Sequence, residues 1–225
     1  MVDSIANGST FEHDKNARIV ACFDHEEVGS SSMAGAGSNL LAHVISRINK
    51  GDSELMETSI RRSLLISADN AHAIHPNYAS KHESNHQPKM HSGIVIKVNA
   101  NQRYSTNSST SFLFSKIAEE VNAPYQKFVV RQDMGCGSTI GMCFFHLKIS
   151  SLENTIITFL MSCILTGPIL STGLGMRTID VGVPQLSMHS IREQCGTSDL
   201  ASTVRILENA YNRFPQLDEA FDQDD

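Results

Sequence analysis

The chain has 225 residues, 40% of them hydrophobic and 19% charged, which is ordinary for a globular protein large enough to bury a substantial core. Its formal net charge of −6 arises largely at one end, because five acidic residues fall within 218–225. The remaining body is close to neutral and has no basic stripe, which disfavours nucleic-acid binding. The acidic end is typical of a solvated tail rather than of a binding element.

The cysteines are odd in number, scattered, and without any C-x-x-C spacing. Acidic residues at Asp3, Glu12 and Asp14 interrupt any apolar N-terminal run, so no signal peptide is indicated. Together these features predict a cytoplasmic protein with reduced thiols. Each thiol is expected to pack in the interior rather than to bind a metal. The five are Cys22, Cys136, Cys143, Cys163 and Cys195.

The first predicted elements alternate between strand and helix. Residues 17–23 form an apolar run typical of a buried strand, and a loop of small residues follows it. A helix is predicted at 38–49, with apolar side chains on one face and Gly51 at its end. Short apolar runs at 63–68 and 94–98 predict two further strands, separated by a histidine-rich loop.

The second half continues the same alternation. A helix is predicted at 108–121, and strands are predicted at 128–130 and 176–183. Asp199 has a side chain suited to the N-cap of a final helix, which Pro215 should end. Strands that alternate with helices indicate the α/β class, and we expect a three-layer sandwich around a mixed, largely parallel sheet.

Acidic residues and one histidine lie near predicted strand ends, where open α/β sheets usually bind ligands. Glu26 and Glu27 follow the first strand, Asp69 follows the second, and His189 lies beyond the last. Carboxylate and imidazole groups suit Zn²⁺, and two neighbouring zinc ions suit hydrolysis. Each residue alone also fits a surface carboxylate, a turn residue or a hydrogen-bonded histidine. Only their combination indicates a metal site.

Five segments reinforce this interpretation. They are D-H-E-E-V-G at 24–29, I-S-A-D-N-A-H-A-I-H-P-N-Y at 66–78, I-K-V-N at 96–99, C-G-S-T-I-G at 136–141 and M-H-S-I-R-E at 188–193. In this order they resemble the aspartyl aminopeptidase family of di-zinc metallopeptidases, and the resemblance covers nearly the whole chain apart from one internal segment. It implies the C-terminal part of a di-zinc aminopeptidase-like catalytic domain.

The resemblance also implies roles for individual residues. Glu26 would be the general base, and the zinc ligands would be Glu27, Asp69 and His189. Substrate would be bound by His72, Lys97 and Tyr104. A buried Lys97 ammonium needs a counter-charge, which an acidic substrate side chain would supply, whereas a lysine that extends to solvent is the ordinary alternative. The family uses two zinc ions, removes N-terminal Asp or Glu from peptides, and forms large homo-oligomers, commonly dodecamers.

The chain departs from the family pattern in two ways. The family's site needs a further His ligand and an Asp that bridges both ions, and both lie upstream of the acidic pair. The chain is therefore expected to be truncated at its N-terminus and inactive alone. Residues 142–167 form an atypical apolar insert, which we interpret as translated intron sequence, with a lineage-specific insertion as the alternative. Its apolar run is too interrupted and too short to span a membrane.

The predicted organisation is one partial metallopeptidase catalytic domain over 1–225, with the insert at 142–167 and an acidic tail at 218–225. The implied function is a zinc-dependent aminopeptidase that acts on peptides with an acidic N-terminal residue, within a homo-oligomer and without nucleic-acid or membrane partners. Two alternatives remain open. The chain could be a non-catalytic zinc-binding or interaction subunit, or a gene-model fragment without a function of its own.

Overall fold

The computed structural model describes residues 16–134, 142–148 and 166–222. The strands of its main sheet are β1 (Asn16–Ala21), β2 (Leu64–Ala68), β4 (Ile94–Val98), β5 (Tyr125–Val129), β6 (Met142–Lys148) and β7 (Arg177–Gly182). A smaller sheet contains β3 (Ala71–His72), β8 (Pro184–Leu186) and β9 (Gln194–Cys195). The helices are α1 (Leu40–Ile48), α2 (Ser53–Arg61), α3 (Ser108–Glu120), α4 (Thr166–Leu174) and α5 (Thr197–Asp222).

The main sheet has the spatial order β1-β6-β2-β7-β4-β5 and mixes both strand directions. β6 is antiparallel to both β1 and β2, and β7 is parallel to β2. β4 is antiparallel to β7 and parallel to β5. The strands β1, β2 and β7 therefore run in one direction, and their carboxyl ends lie at the same end of the sheet.

Helices cover both faces of this sheet, so the predicted three-layer α/β sandwich is confirmed. Successive side chains of a strand point to opposite faces. On β1, Ile19 packs toward α1, α2 and α4, whereas Val20 packs toward α3 and α5. On β2, Leu65 faces the first layer and Ile66 faces the second. Buried aliphatic side chains on both faces account for the apolar runs that predicted these strands.

The predicted strands and the first two predicted helices lie within a few residues of the observed ones. The strands β3, β6, β8 and β9 and the helices α4 and α2 were not predicted. Helix α2 shows one reason. Its sequence mixes polar and apolar residues, and only Ser59 and Ile60 of the helix are buried. Asp52 begins the helix by accepting a hydrogen bond from the Leu55 N–H at 3.0 Å. This N-cap compensates for a weak apolar face.

The prediction that Pro215 ends the final helix is wrong, because α5 continues through it to Asp222. Phe214 is buried beside the proline, and Asp218 accepts two hydrogen bonds from the Arg177 guanidinium at 2.6 and 2.9 Å. These tertiary contacts outweigh the main-chain hydrogen bond that proline removes. The acidic tail predicted at 218–225 therefore begins within a helix, and Asp218 is buried rather than solvated.

The role predicted for Asp199 is also wrong. It lies inside the first turn of α5, and its carboxylate accepts hydrogen bonds from the N–H groups of His91 and Gly93 in a distant turn. Cys195 is exposed, contrary to the expectation of interior packing, whereas Cys22 is half-buried against the core.

The predicted insert at 142–167 is only partly described by the structure. Its first residues form β6, which pairs with both β1 and β2, and its last two residues begin α4. The remainder of the insert and the motif at 136–141 lie outside the described residues. Among the helices of the described ranges, none is both long and apolar enough to cross a membrane.

Candidate metal centre

Loops that follow β1, β2 and β8 meet above one end of the main sheet. Glu26 and Glu27 lie on a single 3-10 turn after β1, and Asp69 directly follows β2. His189 lies in the loop between β8 and β9. His25 and His189 both have left-handed backbones, with φ angles of 62° and 66°. This conformation is uncommon outside glycine, and here it reverses the chain next to each group of candidate ligands.

The central contact of the site joins His189 to Glu27, which are 162 positions apart in the chain. The His189 Nδ1 atom lies 2.9 Å from each carboxylate oxygen of Glu27. This hydrogen bond is the main cause of the raised pKa of His189. The main-chain N–H of His189 also donates to the Glu193 carboxylate, and this contact connects two residues of the same loop. Both side chains of the central contact remain open to solvent, and therefore to a ligand.

Glu26 completes a cluster of three potential ligands. One ligand atom from each of Glu26, Glu27 and His189 can be chosen so that all three atoms lie within 4.8 Å of one another. Burial raises the pKa of Glu26 to about 7, and the nearby charges of Glu27 and Asp69 add to the effect. A carboxyl group with this pKa can accept and release a proton near neutral pH.

Asp69 lies beside this cluster but is paired with a different residue. Lys97 is buried, and its Nζ donates to Asp69 Oδ2 at 3.2 Å. The Asn70 N–H donates to the other carboxylate oxygen at 2.6 Å. Burial raises the pKa of Asp69 even though the Lys97 charge opposes this shift. The structure thus brings Glu26, Glu27 and His189 together, with Asp69 close enough to influence their charges but bonded to Lys97.

The other two predicted substrate-binding residues, Tyr104 and His72, lie near the Lys97 ammonium. Tyr104 is buried, and Lys97 Nζ lies 5.4 Å from the centre of its ring. His72 is on β3 and partly exposed. Desolvation of its ring, followed by the positive charge of Lys97, lowers the pKa of His72. An imidazole with a lowered pKa and a phenol ring therefore lie close to the Lys97 ammonium.

Two residues that position the site were not singled out from the sequence. A Cβ atom at Gly182 would lie 1.7 Å from the Asp69 carbonyl oxygen, so only glycine allows β7 to pass this turn so closely. Asp180 is buried and accepts the Ser105 N–H at 2.6 Å. The sequence feature that could have indicated both residues is an acidic residue and a glycine, two positions apart, inside the apolar strand at 176–183.

The donor set fits a divalent cation such as zinc. Two carboxylates and one imidazole are groups that zinc accepts as ligands. Burial raises the pKa of Glu26 and the hydrogen bond to Glu27 raises the pKa of His189, and the charges of neighbouring carboxylates raise both further, which indicates an excess of negative charge in the cluster. A bound cation would relieve this excess.

A mixed α/β sandwich with carboxylates and a histidine near the carboxyl ends of its strands is an arrangement compatible with a metal-dependent hydrolase. The family model described as aminopeptidase I zinc metalloprotease (M18) matches residues 1–146 and 162–211. The chain belongs to this family. The match omits 147–161, which falls within the predicted insert.

Individual relatives agree with this assignment. A probable aspartyl aminopeptidase of Ricinus communis is 49% identical over 221 residues, which is 97% of this chain and 40% of the relative. An aspartyl aminopeptidase of Caenorhabditis elegans is 44% identical over 207 residues, which is 92% of this chain and 38% of the relative. The chain thus spans well under half the length of these curated relatives.

Solved structures share the fold. A chain in the cryo-EM structure of the Ape4 and Nbr1 complex has a TM-score of 0.73 and 42% identity, and the match covers 88% of this chain and 33% of that chain. The S. cerevisiae mApe1 dodecamer gives a TM-score of 0.67 at 26% identity, with coverages of 88% and 39%. The sandwich described above is therefore that of M18 aminopeptidases.

Proposed function

We propose that this chain carries part of the active site of a zinc-dependent aminopeptidase that removes Asp or Glu from the N-terminus of peptides. The contact between Glu27 and His189 is the main support, because it joins two distant segments into a cation-binding set with Glu26 beside it. Membership of a zinc metalloprotease family supports the metal. The names of the relatives support the acidic preference.

Each candidate ligand has a defined role in this proposal. Glu27, Asp69 and His189 would hold zinc, with two ions in a complete site. Zinc bound there would supply a Lewis acid that polarises the peptide carbonyl and promotes attack by water. Glu26 would accept a proton from the attacking water and deliver it to the departing amine, since its pKa of about 7 suits both transfers near neutral pH.

The substrate would be oriented by the residues around Lys97. Its ammonium is buried among a carboxylate and an aromatic ring, so an acidic substrate side chain would be attracted into a poorly hydrated pocket. Tyr104 would shape that pocket, and the neutral ring of His72 would offer a hydrogen bond. Engagement of Asp69 by a metal would leave Lys97 available for the substrate carboxylate.

The family pattern requires a further histidine and a bridging aspartate that this chain does not match. We therefore expect the 225 residues alone to bind zinc without efficient turnover, and the completed site to hydrolyse peptides. A homo-oligomer is proposed for the complete protein because a solved relative is a dodecamer. The odd number of scattered cysteines supports a cytoplasmic location.

Zinc titration of the chain tests the metal proposal directly. Calorimetry should show binding that Glu27→Gln or His189→Ala weakens by at least about tenfold. His43→Ala is the matched control, because His43 is exposed on α1 and distant in sequence from the site. Equal binding by all four proteins would contradict the proposed ligands.

Catalysis is tested in a protein that joins this chain to the preceding region of a close M18 relative. Such a protein should cleave a peptide that begins with Asp faster than one that begins with Leu. Glu26→Gln should lower kcat by about two orders of magnitude or more while zinc content stays unchanged. Full activity of Glu26→Gln would remove Glu26 from the role of base.

A non-catalytic interaction subunit is the alternative. It predicts that the 225-residue chain co-elutes with a complete family protomer during gel filtration, with no added turnover. If the chain binds zinc but neither co-elutes with a complete protomer nor supports turnover, the aminopeptidase and interaction-subunit functions are both contradicted and only the zinc site is supported.

A further inference from the structure

Asp180 is a buried carboxylate for which the proposed chemistry has no direct use. It lies on β7 and is 2% exposed. Ser67 is its register partner on β2, so both side chains point to the same face of the sheet. Burial raises the pKa of Asp180, while the Ser67 hydroxyl, the Ser105 amide and the Lys97 charge oppose this shift.

The ladder between β7 and β4 ends just before Asp180 and Lys97. β7 pairs with β4 through Gly182 with Val95 and Val181 with Ile96, and the same register would next place Asp180 opposite Lys97. That pair is not part of the observed ladder. In its place, a residue of the loop between β4 and α3 forms hydrogen bonds with the Asp180 main chain. The Asp180 N–H donates to Thr106 Oγ1 at 2.9 Å, and the same hydroxyl lies 3.4 Å from the Asp180 carbonyl oxygen as a donor.

The Asp180 side chain holds the adjacent residue of that loop. Its Oδ2 accepts the Ser105 N–H at 2.6 Å, so both the main chain and the side chain of Asp180 bind the segment 105–106. Tyr104 immediately precedes this segment and lies over the Lys97 ammonium. Displacement of Ser105 would therefore move Tyr104 away from Lys97.

We infer that Asp180 is a positioning residue, which anchors Ser105 and Thr106 so that Tyr104 covers Lys97. The meaning of this pocket as an acidic-side-chain site rests on the proposed function, but the anchoring itself does not.

Three variants test this anchoring. Asp180→Asn keeps an oxygen acceptor for the Ser105 N–H, whereas Asp180→Ala removes it. Asp199→Ala is the matched control, because Asp199 is equally buried and its carboxylate likewise accepts loop N–H groups, those of His91 and Gly93. General loosening of the fold should affect both sites, whereas the inferred anchoring is local.

The first measurement is amide hydrogen exchange by NMR in the 225-residue chain with a chelator present. Asp180→Ala should speed exchange at Ser105 by about tenfold or more, because a short hydrogen bond to a carboxylate is lost. Asp180→Asn should largely restore slow exchange, and Asp199→Ala should leave Ser105 unchanged. Unchanged exchange in Asp180→Ala, or an equal change in Asp199→Ala, would overturn the inference.

The second measurement follows the Lys97 side chain. The Tyr104 ring should shift the Lys97 ε-methylene resonances, with Tyr104→Leu identifying this contribution. Asp180→Ala should remove the ring shift, whereas Asp180→Asn and Asp199→Ala should retain it. Retention of the ring shift in Asp180→Ala would contradict the inferred anchoring.

Thr106→Val provides a second route if Asp180→Ala does not fold. It is nearly isosteric and removes the hydroxyl that joins the loop to the Asp180 main chain, so Ser105 exchange should rise by at least about threefold. Unchanged exchange in Thr106→Val would overturn the anchoring. None of these measurements needs zinc, peptide or turnover. Failure of the aminopeptidase proposal and failure of this inference are therefore distinguishable.

Discussion

Lys97 donates from Nζ to Asp69 Oδ2 over 3.2 Å, so the ammonium proposed to bind substrate is held by a carboxylate proposed to bind metal. The two residues are 28 positions apart, with Asp69 directly after β2 and Lys97 on β4. Binding of a cation by Asp69 and binding of an acidic group by Lys97 would therefore favour each other, because each releases the partner of the other.

The coupling between these two residues should be measurable without any ligand. Lys97→Met leaves the Asp69 carboxylate buried without its ion pair, and we expect a loss of about 3–5 kcal/mol in the free energy of unfolding. Asp69→Asn with Lys97→Met should cost less than the sum of the single variants, with a coupling energy of about 1–3 kcal/mol. Urea denaturation in the presence of a chelator measures all four proteins.

An exposed pair on α3 is the control for that cycle. Lys116 and Glu119 are joined at 2.8 Å but are open to solvent. Their cycle should show little coupling, because water and salt screen the interaction. Additive losses for Lys97 and Asp69 would mean that their observed contact contributes nothing specific to stability.

The metal-free protein should lose stability as pH rises because of Glu26. Its folded pKa is raised from 4.5 to about 7, so ionisation in this window disfavours the folded state, and the loss is complete above it. The pKa of His189 is also raised, so its contribution is fully present below 6.5 and declines as pH rises through the folded value. Both effects have the same sign.

Glu26→Gln isolates the larger of these contributions. After allowance for solvent screening, this variant should be about 1–2 kcal/mol more stable than the natural chain at pH 8, with a much smaller difference at pH 4.5. Denaturation at both pH values with a chelator present checks this. Glu57→Gln on the exposed side of α2 is the control and should show no such pH-dependent gain.

Sequence reasoning recovered the parts of the fold that depend on local pattern. The strand Ile94–Val98 was predicted with the observed bounds, because its four other residues are β-branched and only Lys97 is polar. The helix at Ser108–Glu120 was predicted within one residue. In contrast, continuation of α5 through Pro215 depends on contacts with β7, which local sequence cannot reveal.

The candidate site shows the same division. The motifs predicted the site residues, and the parallel strands β1, β2 and β7 explain why Glu27 and His189 meet with Asp69 nearby. Nothing in the local sequence indicated that Asp69 would bind Lys97, since that pairing depends on the fold that brings the end of β2 close to β4. The role of Asp180 likewise required knowledge of where the ladder between β4 and β7 ends.

Gly182 should be intolerant of any side chain. An added Cβ would lie 1.7 Å from the Asp69 carbonyl oxygen, so β7 or the Asp69 turn would have to move. We expect Gly182→Ala to lower the free energy of unfolding by about 3 kcal/mol or more and to weaken zinc binding. Thermal denaturation and zinc calorimetry measure the two effects. Normal zinc affinity in a folded variant would show that the turn tolerates displacement.

Gly173→Ala is the matched substitution, because no atom lies within 4 Å of its added Cβ and the residue is exposed on α4. It should be neutral or stabilising by up to about 1 kcal/mol, since alanine favours helix more than glycine.

The bidentate contact between Arg177 and Asp218 should anchor the end of α5 beyond Pro215. Asp218 is mostly buried, so Arg177→Met leaves its carboxylate without a partner and should cost about 2–3 kcal/mol. Hydrogen exchange should accelerate after Pro215 more than before it, because the proline already weakens the helix at that point. Arg213→Met, at the more exposed pair with Glu120, should cause a smaller loss and no such local fraying. Uniform exchange along α5 in Arg177→Met would indicate that packing of Phe214, rather than the ion pair, holds the final turns.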